Sequence, residues 1–223
     1  MKWPFTTYAT GTLLLFSLPL AGLSAWLATA TGGFWWIAPV PVLLFVLSFF
    51  RDPERSALGG EDDLVSPADG LVADIVDVDD PDVGEPCTRI GIFLSVFNVH
   101  VNRVPCTGKV IATSQRDGGF FDARDPRCIE ENRAATLVLE RPDERKLGVR
   151  QITGLIARRI IFPVKTGDQY RRGERYGMIR FGSRTELIIP RTELADVHVR
   201  VGDTVKGGET LLATLRTGDK APS

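Results

Sequence analysis

Few side chains in this sequence can act as acid, base or nucleophile near neutrality, and their spacing restricts what they can do together. There are two histidines, His100 and His198, and three cysteines, Cys87, Cys106 and Cys128. The cysteines are odd in number and lack CxxC or His-rich spacing, so neither a disulfide framework nor a metal site is expected and they read as reduced thiols. His198 alternates with valines in Val197-His198-Val199 and reads as a solvent-facing strand residue. His100 lies in an apolar, strand-like context and is the candidate general base, judged by role and geometry. A serine is a poor nucleophile without such a base and a group to orient it. The pair Gly182-Ser183 carries little information alone, and Ser66-Pro67-Ala68-Asp69-Gly70 reads first as a good turn.

The elements that must position these groups are written in the charge distribution. The net charge is −1, from 27 basic and 28 acidic residues, which asks for no nucleic acid and leaves recognition to local groups. Between Lys2 and Arg51 stand 48 residues without a charge. They form two apolar segments, Tyr8 to Ala28 and Phe34 to Phe50, around Thr29-Ala30-Thr31-Gly32-Gly33. A bilayer core takes about 20 apolar residues of helix. The first segment is long enough; the second is marginal and carries Pro39 and Pro41, so a kinked or re-entrant helix is expected there. Lys2 at one end and Arg51 and Arg55 at the other place both termini in the cytoplasm by the positive-inside rule. A cleaved signal peptide is the alternative, since Leu13 to Leu20 resembles a short h-region, but its n-region holds a single Lys and a second apolar segment follows at once.

From residue 51 onward the chain is charged, with short apolar runs between Gly, Pro and Asp turns. Leu71 to Val78, Arg89 to Val96, Ala135 to Glu140, Thr185 to Ile189, Val197 to Val201 and Thr210 to Leu215 have strand length and character. Many short strands with regular turns predict a mainly β barrel or sandwich over 51–223, behind a membrane hairpin over 1–50. The stretch Gln151 to Ile161 fits helical spacing as well, and is left open between strand and helix. Ser66 to Val72 and Val199 to Ala213 have the look of facing halves of a biotinyl- or lipoyl-type hammerhead. Gly202-Asp203 and Gly207-Gly208 supply its tight turns. No lysine-bearing hairpin lies between the halves, so the likeness is one of scaffold.

Three strings stand in order behind the hairpin. The first is Phe49-Phe50-Arg51-Asp52-Pro53-Glu54-Arg55 with Ser66-Pro67-Ala68-Asp69-Gly70; the second is Phe97-Asn98-Val99-His100-Val101-Asn102-Arg103-Val104-Pro105; the third is Tyr176-Gly177-Met178-Ile179-Arg180-Phe181-Gly182-Ser183-Arg184. Together they resemble the phosphatidylserine decarboxylase family, over nearly the whole chain. The Phe-Gly-Ser-Arg form, in place of Leu-Gly-Ser-Thr, resembles its short type. The resemblance implies that Ser183 attacks the Gly182 carbonyl, that the chain parts into 1–182 and 183–223, and that Ser183 becomes a pyruvoyl group. Glycine at the acyl position suits a strained turn and an open carbonyl.

The resemblance also implies that the pyruvoyl ketone forms a Schiff base with the serine head-group amine of a membrane phospholipid and takes up the electrons released with carbon dioxide. His100 would protonate the carbanion, and Asp69 would orient the base or stabilise its charged form. Long members of the family carry His-x-x-His-x-Pro where this chain has Arg103 at the second histidine. Arginine cannot act as a general base. Either His100 performs both jobs, or Asp69 works with Arg103 as an electrostatic partner. Arg184 or Arg103 would hold the substrate phosphate or carboxylate, because a guanidinium fork fits both. The expected partners are the membrane lipid and the two fragments, with a homo-oligomer left open. Two readings compete: the same reaction on an ether-linked (archaetidyl) serine lipid, and a non-enzymatic membrane-anchored hammerhead adaptor.

Overall fold

The computed structural model describes residues 4–57, 59–155, 159–180 and 182–217. The chain folds as two compact units, Met1–Glu54 and Arg55–Ser223.

In the first unit a short 3-10 turn leads into α1 (Thr10–Ala30), and a second such turn into α2 (Val40–Phe49). Thr31 closes α1, its backbone N–H donating to Leu27 O, and Gly32 follows at φ +59°, a left-handed step that ends the helix. Pro39 is the N-cap of α2 and Pro41 lies in its first turn, so the prolines start this helix and do not kink it. The two ends of the hairpin meet: Thr6 N–H donates to Phe50 O at 2.9 Å and Asp52 N–H to Pro4 O at 2.9 Å. Leu15, Leu18 and Trp26 are largely exposed apolar side chains on α1. At 1.5 Å per residue α1 is about 31 Å long, the thickness of a hydrocarbon core, whereas α2 reaches about half of it. Among the described residues one helical stretch, Thr7–Ala30, is long and apolar enough to cross a membrane.

The second unit is mainly β. Its strands are β1 (Asp63–Val65), β2 (Gly70–Asp80), β3 (Gly84–Leu94), β4 (Val101–Arg103), β5 (Gly108–Arg116), β6 (Ala134–Glu140) and β7 (Lys146–Ile152), then β8 (Ile160–Ile161), β9 (Gln169–Tyr170), β10 (Arg175–Ile179), β11 (Ser183–Pro190), β12 (Leu194–Val197), β13 (Thr204–Val205) and β14 (Leu211–Leu215). An eight-stranded sheet runs β13-β2-β3-β11-β7-β6-β5-β9; two three-stranded sheets run β1-β14-β12 and β4-β10-β8. Among its described residues the stretch Gln151 to Ile161 holds no helix: Gln151 and Ile152 end β7, Ile160 and Ile161 form β8, and 153–155 and 159 lie outside both strands, while residues 156–158 lie outside the described residues. The strand that Gln151 and Ile152 end is an interior one, paired on both sides, and its Leu147 and Val149 face the main core.

The hammerhead halves do face one another. β1 pairs antiparallel with β14 and β13 with β2. Gly208 N–H donates to Ser66 O at 2.7 Å and Ser66 N–H to Thr210 O at 2.8 Å. Gly70 is required here, since a Cβ would stand 2.1 Å from the Phe93 carbonyl oxygen.

β11 organises everything that follows. Its neighbours are β3 and β7, both antiparallel, with Ser183 opposite Leu94 and Arg184 opposite Ile152. Leu187 and Ile189 face the main core with Ile90, Ile92 and Leu94, while Ile188 faces a second cluster with Val83, Cys87 and Val138. Successive strand residues face opposite ways, so Ser183 and Thr185 share the main-core face and Arg184 and Glu186 the other.

Candidate active site

Register brings the three strings together. Ser183 pairs with Leu94 at the end of β3, Arg184 with Ile152 at the end of β7, and Leu71 at the start of β2 with Phe93. The segments 95–100 and 153–155, Gly182 and the turn 66–69 therefore gather at one end of the large sheet.

His100 is set by the turn before it. Asn98 Oδ1 accepts from the Ser95 N–H and Oγ, both at 2.8 Å, which leaves the Asn98 carbonyl aimed at the ring. That carbonyl lies 2.9 Å from His100 Nδ1. A carbonyl only accepts, so Nδ1 carries the proton and, in the neutral ring, Nε2 is the acceptor. The Gly182 N–H donates to Nε2 at 3.4 Å. His100 is fully buried. Its own carbonyl accepts from Ile179 N–H at 3.2 Å, extending the β4–β10 ladder.

Gly182 has φ +63° with nothing within 4 Å of where a Cβ would stand, so glycine is needed there for conformation and not for space. Gly154 is needed for space: a Cβ on it would stand 2.3 Å from the Gly182 carbonyl oxygen. Ser183 is fully buried and its Oγ has no hydrogen-bond partner among the described residues. An unmade hydroxyl bond in the interior costs about 1–3 kcal/mol, and such exceptions mark strained or catalytic positions. On the same face lies a buried polar tier: Asn102 Nδ2 donates to Thr185 Oγ1 at 3.1 Å and Gln151 Nε2 to Asn102 Oδ1 at 2.7 Å.

The other expected site residues are bonded to other partners. The Asp69 carboxylate is bonded to the Arg55 guanidinium, with Nη2 to Oδ2 at 2.8 Å, and to the Gly207 N–H at 2.8 Å; it is hydrogen-bonded neither to His100 nor to Arg103. The Asn98 carbonyl holds the ring instead. The turn that holds Asp69 docks on β4, the Pro67 carbonyl accepting from the Arg103 N–H at 2.9 Å. Arg103 is buried, with Nη1 donating to Gly173 O at 2.9 Å.

Arg184, offered by the sequence as an anion fork, faces away from Ser183 and is already filled. Its Nη1 and Nη2 stand 2.6 and 2.8 Å from the Asp74 carboxylate, and its Nε 2.8 Å from Glu186 Oε1. Burial pushes the Asp74 carboxyl up, but the Arg184 hydrogen bonds and charge outweigh it and hold it below the usual carboxylate range. Burial likewise pulls Arg184 down, and Asp74 and Glu186 more than reverse this. His198 is part-exposed and bonded to Thr214 Oγ1 at 2.7 Å. All three cysteines are free and buried; burial pushes Cys106 up to about 12, which makes it an inert thiol.

A mainly β unit thus buries a serine hydroxyl with no hydrogen-bond partner among the described residues, behind a left-handed glycine whose N–H meets an imidazole acceptor. A family model described as phosphatidylserine decarboxylase matches residues 42–213. A phosphatidylserine decarboxylase proenzyme of Rhodopirellula baltica is 42% identical over 220 residues, covering 96% of this chain and 90% of the relative. One of Geobacter metallireducens is 49% identical over 172 residues, covering 77% and 78%, and one of Trichlorobacter lovleyi is 42% identical over 213 residues, covering 96% and 94%. The chain belongs to the phosphatidylserine decarboxylase family and is a carboxy-lyase.

Proposed function

We propose that this chain cuts itself between Gly182 and Ser183, converts Ser183 to a pyruvoyl group, and decarboxylates phosphatidylserine to phosphatidylethanolamine and carbon dioxide at the membrane. The observation that carries the reading is the Gly182-Ser183 junction, fully buried at Ser183 and hydrogen-bonded through the Gly182 N–H to His100 Nε2. Nε2 is the deprotonated nitrogen of a ring fixed by the Asn98 carbonyl, which suits it to take the Ser183 hydroxyl proton. Oγ then attacks the Gly182 carbonyl carbon, the Ser183 nitrogen takes a proton as the peptide bond breaks, and an ester results. Loss of the Ser183 Cα proton expels the Gly182 carboxylate; water then replaces the amino nitrogen as ammonia and leaves the ketone.

The residues present fit such a group: the orphaned Oγ is the atom that would be consumed, and the buried Asn102, Gln151 and Thr185 tier offers donors on the same face. When bound, the pyruvoyl ketone supplies an electrophile for the substrate amine and a sink for the electrons left by the departing carboxylate. His100, out of solvent contact, is the group that would return a proton to the substrate carbon.

The cut leaves the fold held together. β11 lies between β3 and β7, β14 beside β1 and β13 beside β2, so 183–223 stays laced to strands of 1–182. The basic residues Lys2, Arg51 and Arg55 flank the hairpin and favour a catalytic unit on the cytoplasmic face. A tether there keeps the site close to its head groups. The names of the relatives favour neither an ether-lipid enzyme nor a non-enzymatic adaptor. The test is turnover of phosphatidylserine vesicles by the purified chain: wild type releases carbon dioxide and phosphatidylethanolamine and Ser183→Ala does not. Equal activity in Ser183→Ala would overturn the reading.

A further inference from the structure

The segment that leads into the Gly182-Ser183 junction carries two arginines whose placement nothing above explains. Ile179 pairs with Ile160 across β10 and β8, and one step on Arg180 N–H donates to Arg159 O at 3.2 Å. Residues directly opposite in an antiparallel pair send their side chains to the same face, about 5.5 Å apart at Cα. Arg159 and Arg180 are therefore neighbours of like charge, an arrangement that disfavours the pairing. Burial, with the Arg159 charge adding to it, pulls Arg180 below the usual arginine value. Neither guanidinium has a carboxylate or any other side-chain partner among the described residues, and Arg180 Nε is buried without one. Arg55, Arg103 and Arg184, by contrast, are each bonded to oxygen atoms of the protein.

Two neighbouring guanidinium groups without a protein partner among the described residues, Arg159 exposed and Arg180 half-buried, are a place for an anion. Arg180 stands three residues before Ser183, at most about 10 Å away along an extended chain, and the left-handed turn at Gly182 shortens that. We propose that Arg159 and Arg180 form the subsite for the phosphodiester of the serine lipid. This rests on the decarboxylase reading given above. The substrate brings two anions, its carboxylate and its phosphodiester. Cations bound to the carboxylate would stabilise the ground state more than the transition state in which that charge departs. The phosphodiester keeps its charge from substrate to product, so binding it lowers KM without opposing the chemistry, and two forks match its oxygen atoms.

The experiment uses the full chain, matured and assayed on phosphatidylserine vesicles, with Arg159→Gln, Arg180→Gln and the corresponding lysine variants. The mass of the 183–223 fragment reports that each variant has folded and matured. Each glutamine variant should raise KM at least about tenfold, the loss of a charge-assisted contact, with kcat little changed. The lysine variants should recover part of it. Inorganic phosphate should compete with substrate in wild type and lose that competition in the glutamine variants. Unchanged KM in both glutamine variants, or a fall in kcat alone, would overturn the subsite. Should Arg180→Gln fail to mature, Arg159→Gln decides; should neither mature, the pair serves maturation and the proposal falls. A wild-type chain that neither matures nor turns over the lipid would sink the decarboxylase reading instead.

Discussion

Adding one carbon at Gly154 should stall self-cleavage without unfolding the protein. A Cβ at this position would stand 2.3 Å from the Gly182 carbonyl oxygen, 3.1 Å from its carbon and 3.2 Å from Ala123 Cβ. Close C···O contacts lie at about 3.3 Å or more, so Gly154→Ala must displace the carbonyl by about 1 Å. That carbonyl is the one Ser183 Oγ is proposed to attack, and a misplacement of this size costs about 100-fold in rate. Overpacking should cost about 1–3 kcal/mol, or roughly 2–12 °C in Tm for a unit of this size. Freshly translated chain, sampled over time on denaturing gels, gives the cleavage rate, and differential scanning fluorimetry gives Tm. Gly60→Ala is the control, because its Cβ would meet only Asp63 Oδ2, at an ordinary 3.7 Å. Cleavage of Gly154→Ala at the wild-type rate, with Tm lowered as expected, would refute the idea that the Gly182 carbonyl must sit where the structure has it.

Other outcomes follow from the same geometry. Ser183→Ala should remain uncut yet be at least as stable as the uncut wild-type chain, because it removes a buried hydroxyl that has no partner; a Tm well below that of an uncleaved reference would contradict this. At Gly182, where the requirement is a positive φ and not space, asparagine should retain more cleavage than alanine, as timed on gels. Asp74→Asn leaves Arg184 facing Glu186 alone and should cost about 2–3 kcal/mol by denaturant titration, a value reduced from that of a fully buried pair because Asp74 is part-exposed. Asp74 titrates below its unfolded value of 3.8, so its stabilisation is complete above that pH and is lost as pH falls through the lower native value; the variant should lack this part of the acid-side decline. Asp69→Asn and Arg55→Gln should impair stability and maturation in parallel if Asp69 acts through its turn; normal maturation in Arg55→Gln would argue that Asp69 has a role of its own.

Much of the framework was legible in residue type. An uncharged run of 48 residues can form little but apolar helices, and strand-length runs between Gly, Pro and Asp specify a β unit whatever the order of pairing. What sequence reasoning missed is carried by backbone atoms and register. The group that orients His100 is a main-chain carbonyl, and the side chain that aims it, Asn98, sits in the second string without a chemical signature of its own. The contact that makes Gly154 necessary joins segments far apart in sequence and left no signal. Arg184 was open to correction beforehand: it alternates with Ser183, Thr185 and Leu187, so whichever face takes the serine, the arginine takes the other. The pairing of Arg159 with Arg180 depends on the register of two short strands, and no composition reveals it.

The proposed chemistry requires that the link ahead of Ser183 break in the folded protein and create the electrophile. Denaturing mass analysis of fully active protein tests it most directly. The prediction is two chains, 1–182 and a fragment of 41 residues whose N-terminus is a ketone closed to Edman chemistry. A single intact chain of full activity, or a cut at any other bond, would contradict it.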